Sequence, residues 1–154
     1  MKSRTLEVGL DVPLQLTIEA LACTRCDEIV PSSDLDRRIR LEALRCVALS
    51  GQANAETFRF LRTGLGLQAK ELAYLFQMDA GTISRWENGV RDVELRAWAL
   101  LACMALDLAG STDPHPQRRV LEALRSPPST REGLEVRVSS RPPPPEVLQH
   151  AAAR

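Results

Sequence analysis

The chain has 154 residues, with 20 basic and 20 acidic side chains and a formal net charge of zero. That excludes a polycation whose binding to nucleic acid rests on bulk charge alone. Aromatic residues are 4% of the chain against 44% hydrophobic, which disfavours a large β-sandwich and predicts a mainly helical protein of one ordinary domain or two very small ones.

The longest apolar run, Ala97 to Leu106, is too short to span a bilayer, so no membrane association is expected. Met1-Lys2-Ser3-Arg4 leads into alternating residues and not into an apolar h-region, so no signal peptide is expected and the cytoplasm is the expected location. In that reducing compartment Cys23, Cys26, Cys46 and Cys103 are expected as thiols or ligands, not as disulfides.

Residues 1–53 read as a small β element, a cysteine knuckle and a helix. Leu14, Leu16, Ile18 and Ala20 alternate with polar residues as one face of a strand, and Leu6, Val8 and Leu10 predict a shorter strand before it. Cys23-Thr24-Arg25-Cys26 follows as a C-x-x-C in a tight turn. From a cap region at Ser33 to Asp36, the residues Leu35, Ile39, Leu41, Leu44, Val47 and Ala48 form an amphipathic helical stripe that stops near Ser50-Gly51.

Residues 54–125 read as five helices. Asn54 caps the first, which carries Phe58, Leu61 and Leu65; a second covers Lys70 to Gln77. Asp79 caps a third, Ala80 to Glu87, which Asn88-Gly89 ends. A fourth runs from about Val93 to Leu108, and a fifth from Gln117 to Arg125 with Pro116 at its first position. All but two of the ten prolines lie at or beyond Pro114, so residues 126–154 are expected to form a flexible, proline-rich tail.

The second and third of these five helices carry the functional expectation. Ala73 is small enough for the two to cross, and Ile83 and Trp86 anchor the latter onto Leu67, Leu72 and Phe76. Ala80, Gly81, Thr82, Ser84 and Arg85 then face outward and are the expected base contacts. An arginine there bonds two acceptors of guanine, and a threonine or alanine methyl touches that of thymine. Arg62, Gln68 and the backbone amides near Ala69 and Ala80 are the expected phosphate contacts.

The residues Leu61-Arg62, Leu65-Gly66-Leu67, Glu71-Leu72-Ala73 and Thr82-Ile83-Ser84-Arg85-Trp86-Glu87-Asn88-Gly89 resemble the phage-repressor (XRE) type of helix-turn-helix over about residues 55–108. The resemblance implies a pair between Arg62 and Glu87 that turns Arg62 towards a phosphate. It departs at Gln68 and Ala69, where the family has Ser or Thr followed by Gln. With the strand and Cys23-Thr24-Arg25-Cys26-Asp27-Glu28, residues 14–108 are also similar to the MqsA antitoxin family. That implies a dimeric repressor with an N-terminal zinc module that neutralises a partner toxin. Residues 1–22 hold no Cys or His to complete such a module, and the family's base-reading Asn falls on Gly81 while its Arg matches Arg85.

The expected function is therefore sequence-specific binding of double-stranded DNA as a homodimeric repressor. The alternative is an antitoxin-type protein whose N-terminal β element and knuckle bind and neutralise a partner toxin enzyme, an expectation motivated by the exposed face of the strand from Leu14 to Ala22. No paired acid–base carboxylates, nucleophile with base, or phosphate-cradling glycine loop is present, so no catalysis is expected. Zinc at Cys23 and Cys26, within one chain or shared between two, is weighed against a knuckle held by hydrogen bonds and packing, and the missing ligands favour the latter, with no cofactor. Cys46 is a core residue on this reading, or a third ligand. His115 and His150 read as surface residues, Trp86 as core, Arg118-Arg119 as a solvated face, and Trp98 as either core or dimer surface.

Overall fold

The computed structural model describes residues 2–8, 14–20, 33–126 and 135–139, with side chains described from Asp34 to Ser126. Their order is β1 (Lys2–Val8), β2 (Leu14–Ala20), α1 (Ser33–Leu49), α2 (Ala55–Gly64), α3 (Ala69–Leu75), α4 (Ala80–Glu87), α5 (Leu95–Leu108), α6 (Pro116–Arg125) and β3 (Glu135–Ser139). The described chain is thus mainly helical, as its composition predicts.

β1 and β2 pair antiparallel, with Thr5 opposite Thr17, and β3 joins the other edge of β2 in parallel, with Thr17 opposite Arg137. This corrects part of the expected tail. Within residues 126–154, Glu135-Val136-Arg137-Val138-Ser139 has the two-residue period of a strand, a signal the surrounding prolines overshadow. The sheet order places β2 in the centre, so both its edges are occupied. Among the described residues β1 and β3 are the outer strands of this sheet.

The helices form where caps and apolar spacing agree. Asn54 Oδ1 accepts the Thr57 N–H at 3.0 Å, while Thr57 Oγ1 accepts the Asn54 N–H at 3.2 Å, a reciprocal box at the start of α2. The Thr57 hydroxyl also donates to the Gln52 carbonyl and accepts the Trp98 Nε1–H at 3.1 Å. That bond ties α2 to α5 and settles Trp98 as a core residue, fully buried.

One apolar cluster runs through all six helices, from Leu35, Leu44 and Val47 of α1 through Phe58, Leu61, Leu72, Ile83 and Leu101 to Val120 of α6. α1 belongs to this core, although the reading above grouped it with residues 1–53. Its stripe lies against α2, α5 and α6. Each fully buried large apolar side chain contributes about 1.5–3 kcal/mol, so α1 is a stabilising wall of the helical unit. Gly64 lets α1 and α2 close up, since a Cβ there would lie 2.4 Å from Leu44 Cδ2.

The α5–α6 connection is held by Asp113, whose carboxylate accepts from the His115 N–H at 2.8 Å and from Arg119 Nε at 2.9 Å. The His115 N–H, then Arg119, keep this carboxyl below its ordinary value. A depressed carboxylate retains its contacts above the ordinary pKa and gives them up as pH falls through the lowered one. The connection is thus intact at neutral pH.

Gly51 provides the sharpest stability test. Its φ of +67° disfavours any L side chain, and a Cβ would lie 2.2 Å from the backbone oxygen of Ala123 in α6. Gly51→Ala is expected to cost about 3 kcal/mol or more by urea unfolding, because strain and a backbone clash add. Gly89→Ala, at φ +66° with open space around it, should cost only about 1 kcal/mol.

Candidate nucleic-acid interface

α3 and α4 are joined by a tight turn in which Gln77 takes a left-handed φ of 53°. The Gln77 and Met78 amides return to the carbonyls of Tyr74 and Ala73, at 3.1 and 2.8 Å, which closes the end of α3. Asp79 then starts α4, its Oδ2 accepting the Gly81 N–H at 2.9 Å. Leu72 and Ala73 are buried on the α3 side of the crossing, as the small-residue argument requires.

The inner face of α4 consists of Ile83, fully buried, and Trp86, 2% exposed. The Trp86 ring meets Phe58 of α2 edge to face, with centroids 5.5 Å apart. Its Nε1–H is buried without an acceptor. With that face committed to the core, the opposite one is turned to solvent: Ala80, Ser84 and Arg85 are exposed, and Gly81 and Thr82 half-buried. All five expected base-contact residues thus retain access to solvent from one short helix.

Glu87 at the end of α4 is the anchor of the arrangement. Its carboxylate receives Arg62 Nε and, at 3.1 Å, Arg62 Nη2, a two-pronged pair. Arg62 Nη1 donates to the Leu67 carbonyl at 2.6 Å, so one guanidinium ties α2, the α2–α3 loop and α4 together. The two side chains are 13% and 8% exposed. The pairing is formed, and a phosphate contact from Arg62 is left to the two N–H groups these three bonds do not use.

Arg59, absent from the sequence-based site, joins the same cluster. It donates from Nη2 to Asn88 Oδ1 at 3.2 Å, and its Nε lies 4.0 Å from Glu87. Its signal was its place three residues before Arg62, which puts both on one face of α2. Lys70, in the first turn of α3, and Arg91, after α4, are also exposed on elements flanking this face.

The helix starts are less open to phosphate than the sequence predicts. Gln68 is exposed at the cap of α3, and half-buried Ala69 follows it, but the Glu71 carboxylate already accepts the Gln68 N–H at 2.6 Å. At α4 the Asp79 carboxylate takes the Gly81 N–H. Each helix start thus carries a carboxylate on its backbone N–H groups, a poor setting for a further anion.

The remaining candidates separate from this face. Cys23, Cys26 and His150 lie outside the described residues, and among the described residues no cluster of three or more metal-ligating side chains occurs. Burial pushes the Cys46 and Cys103 thiols up, Glu42 adding to the effect at Cys46, so neither is poised as a thiolate. His115 is exposed at the start of α6, where Arg118 pairs with Glu122 and Arg119 with Asp113, each at 2.9 Å, as a solvated helix face does. Among the described residues no helix is long and apolar enough to cross a membrane. No family model, curated protein or solved structure matches the chain.

Arg62→Ala leaves the Glu87 carboxylate, 8% exposed, with only the exposed Arg59 at 4.0 Å and is expected to cost about 3 kcal/mol. Glu87→Ala, which strands Arg62, should cost a similar amount. The double variant should lose less than the sum of the two, and urea unfolding of all three forms measures the coupling.

Proposed function

We propose that the chain is a sequence-specific DNA-binding regulator of the XRE helix-turn-helix type, acting as a homodimeric repressor that inserts α4 into the major groove. The observation that carries this reading is the division of α4. One face is locked to the core through Ile83, Trp86 and Glu87, and the other presents Ala80, Gly81, Thr82, Ser84 and Arg85 to solvent. A short helix fixed so firmly on one side and left bare on the other is what base readout requires.

Arg85, half-exposed at the middle of the outer face, is the guanine reader, with Thr82 and Ser84 beside it. Arg59 and Lys70 hold phosphates, with Arg62 acting mainly as the tie behind them. The net charge of zero makes nonspecific attraction weak, so most of the affinity must come from these contacts. A two-fold dimer reads an inverted repeat with half-sites about one helical turn apart. The alternative in which the N-terminal sheet grips a toxin enzyme passes to the outer strands β1 and β3.

Selection from random duplex DNA at near-physiological salt tests the reading. Enrichment of an inverted repeat supports a dimeric sequence reader; no enrichment turns the helix-turn-helix into a protein-docking scaffold. Arg85→Ala is expected to relax one base position in each half-site at a cost of about 1–3 kcal/mol. A loss equal on all sequences would assign Arg85 to the phosphates instead.

A further inference from the structure

Gly81 is an expensive residue for its position. Its φ is not left-handed, and a glycine within a helix costs about 1 kcal/mol relative to alanine. What the position supplies is space: a Cβ there would lie 2.6 Å from Asp79 Oδ2 and 3.3 Å from Arg85 Nη2. The carboxylate and the guanidinium converge over bare backbone, 4.0 Å apart. Both are open to solvent, with 74% of the Asp79 side chain and 55% of the Arg85 side chain exposed.

Asp79 is itself held. Oδ2 accepts the Gly81 N–H at 2.9 Å, which fixes the carboxylate at the start of α4, while Oδ1 has no partner among the described residues. A fixed carboxylate beside a mobile guanidinium limits where that guanidinium points. Its remaining oxygen is acceptor-only, and in the major groove the donors available to it are the amino groups of cytosine and adenine.

We infer that Asp79 and Arg85 form one reading unit across the gap left by Gly81. Arg85 is directed at the O6 and N7 of a guanine, and Asp79 accepts from the exocyclic amino group of an adjoining cytosine or adenine. The partner is duplex DNA in which each half-site sets a guanine beside a base that presents an amino group in the major groove. Asp79 also repels phosphates, so it weakens binding to every other sequence and sharpens the choice. The inference rests on the DNA-binding reading and deepens it by making Asp79 a specificity-determining residue.

The test is random-duplex selection followed by affinity measurements on the selected and on random-sequence duplexes, for the wild type, Asp79→Asn and Gly81→Ala. Asparagine caps a helix as well as aspartate does, so Asp79→Asn keeps α4 while removing the charge. It is expected to lose the preference at the position beside the guanine by roughly tenfold, about 1.4 kcal/mol, and to bind random-sequence duplex more tightly. Gly81→Ala, whose methyl displaces the carboxylate, should shift both quantities the same way. Should Asp79→Asn fail to fold by circular dichroism, Asp79→Ser, also a good cap, takes its place.

Unchanged base preference in the Asp79 variant, with a clear wild-type motif, overturns the inference and leaves the DNA-binding reading standing. A wild-type motif without an amino-bearing base beside the guanine does the same. If the wild type enriches nothing, the reading falls and the inference with it.

Discussion

The bond between Arg62 and Glu87 organises the helical unit because it closes a triangle that apolar packing alone leaves loose. α4 is only eight residues long, two turns of helix, and an isolated helix of that length is unstable in water. Ile83 and Trp86 give it adhesion without direction, since apolar contact is non-directional. The two-pronged pair at its last residue adds direction: Glu87 held from α2 by Arg62 opposes rotation of α4 about its own axis. Arg62 can do this because its third nitrogen is fixed by the Leu67 carbonyl, which anchors the guanidinium before Glu87 is considered.

Around that triangle the other helices act as a frame. α5 runs behind α2 and α1 with an almost continuous apolar surface, and α1 completes the wall that α5 alone would leave open. α1 is brought into the unit by close approach, at Gly64 of α2 against Leu44 and at Gly51, just after α1, against Ala123 of α6. Within α1, Arg40 pairs with Asp36 and Arg45 with Glu42, and ion pairs in contact with solvent add little. The packed core therefore lies behind α4, and the outward face of α4 stands on it.

Much of this was legible in the sequence, for physical reasons that differ by element. α4 was readable to the residue because three independent local signals agree: the Asp79 cap, the Ile83–Trp86 spacing and the Asn88-Gly89 stop. α1 was readable as a helix but not as part of this core, because an apolar stripe says that a face is buried and not against what. β3 was hidden by its proline-rich neighbourhood. In the site, the outward face of α4 followed from periodicity and Arg59 was legible only as a neighbour of Arg62 on one face of α2, whereas the closing of the helix starts by Glu71 and Asp79 depends on side-chain conformations that no spacing encodes. The space above Gly81 belongs to the same class, visible only once the atoms around the missing Cβ are placed.

The Thr57 hydroxyl has a consequence for how far this chain can drift. An oxygen of this kind has one proton to give and two lone pairs to fill, and all three are spent, on the Gln52 carbonyl, the Asn54 amide and the Trp98 indole. Valine has the same shape and none of the valences, so it would orphan three groups in a place where Trp98 is sealed from water. Serine alone among the common residues retains all three. Positions 57 and 98 are therefore coupled in one direction: a tryptophan at 98 demands the hydroxyl, whereas the hydroxyl would still be held by Gln52 and Asn54 if the tryptophan were replaced.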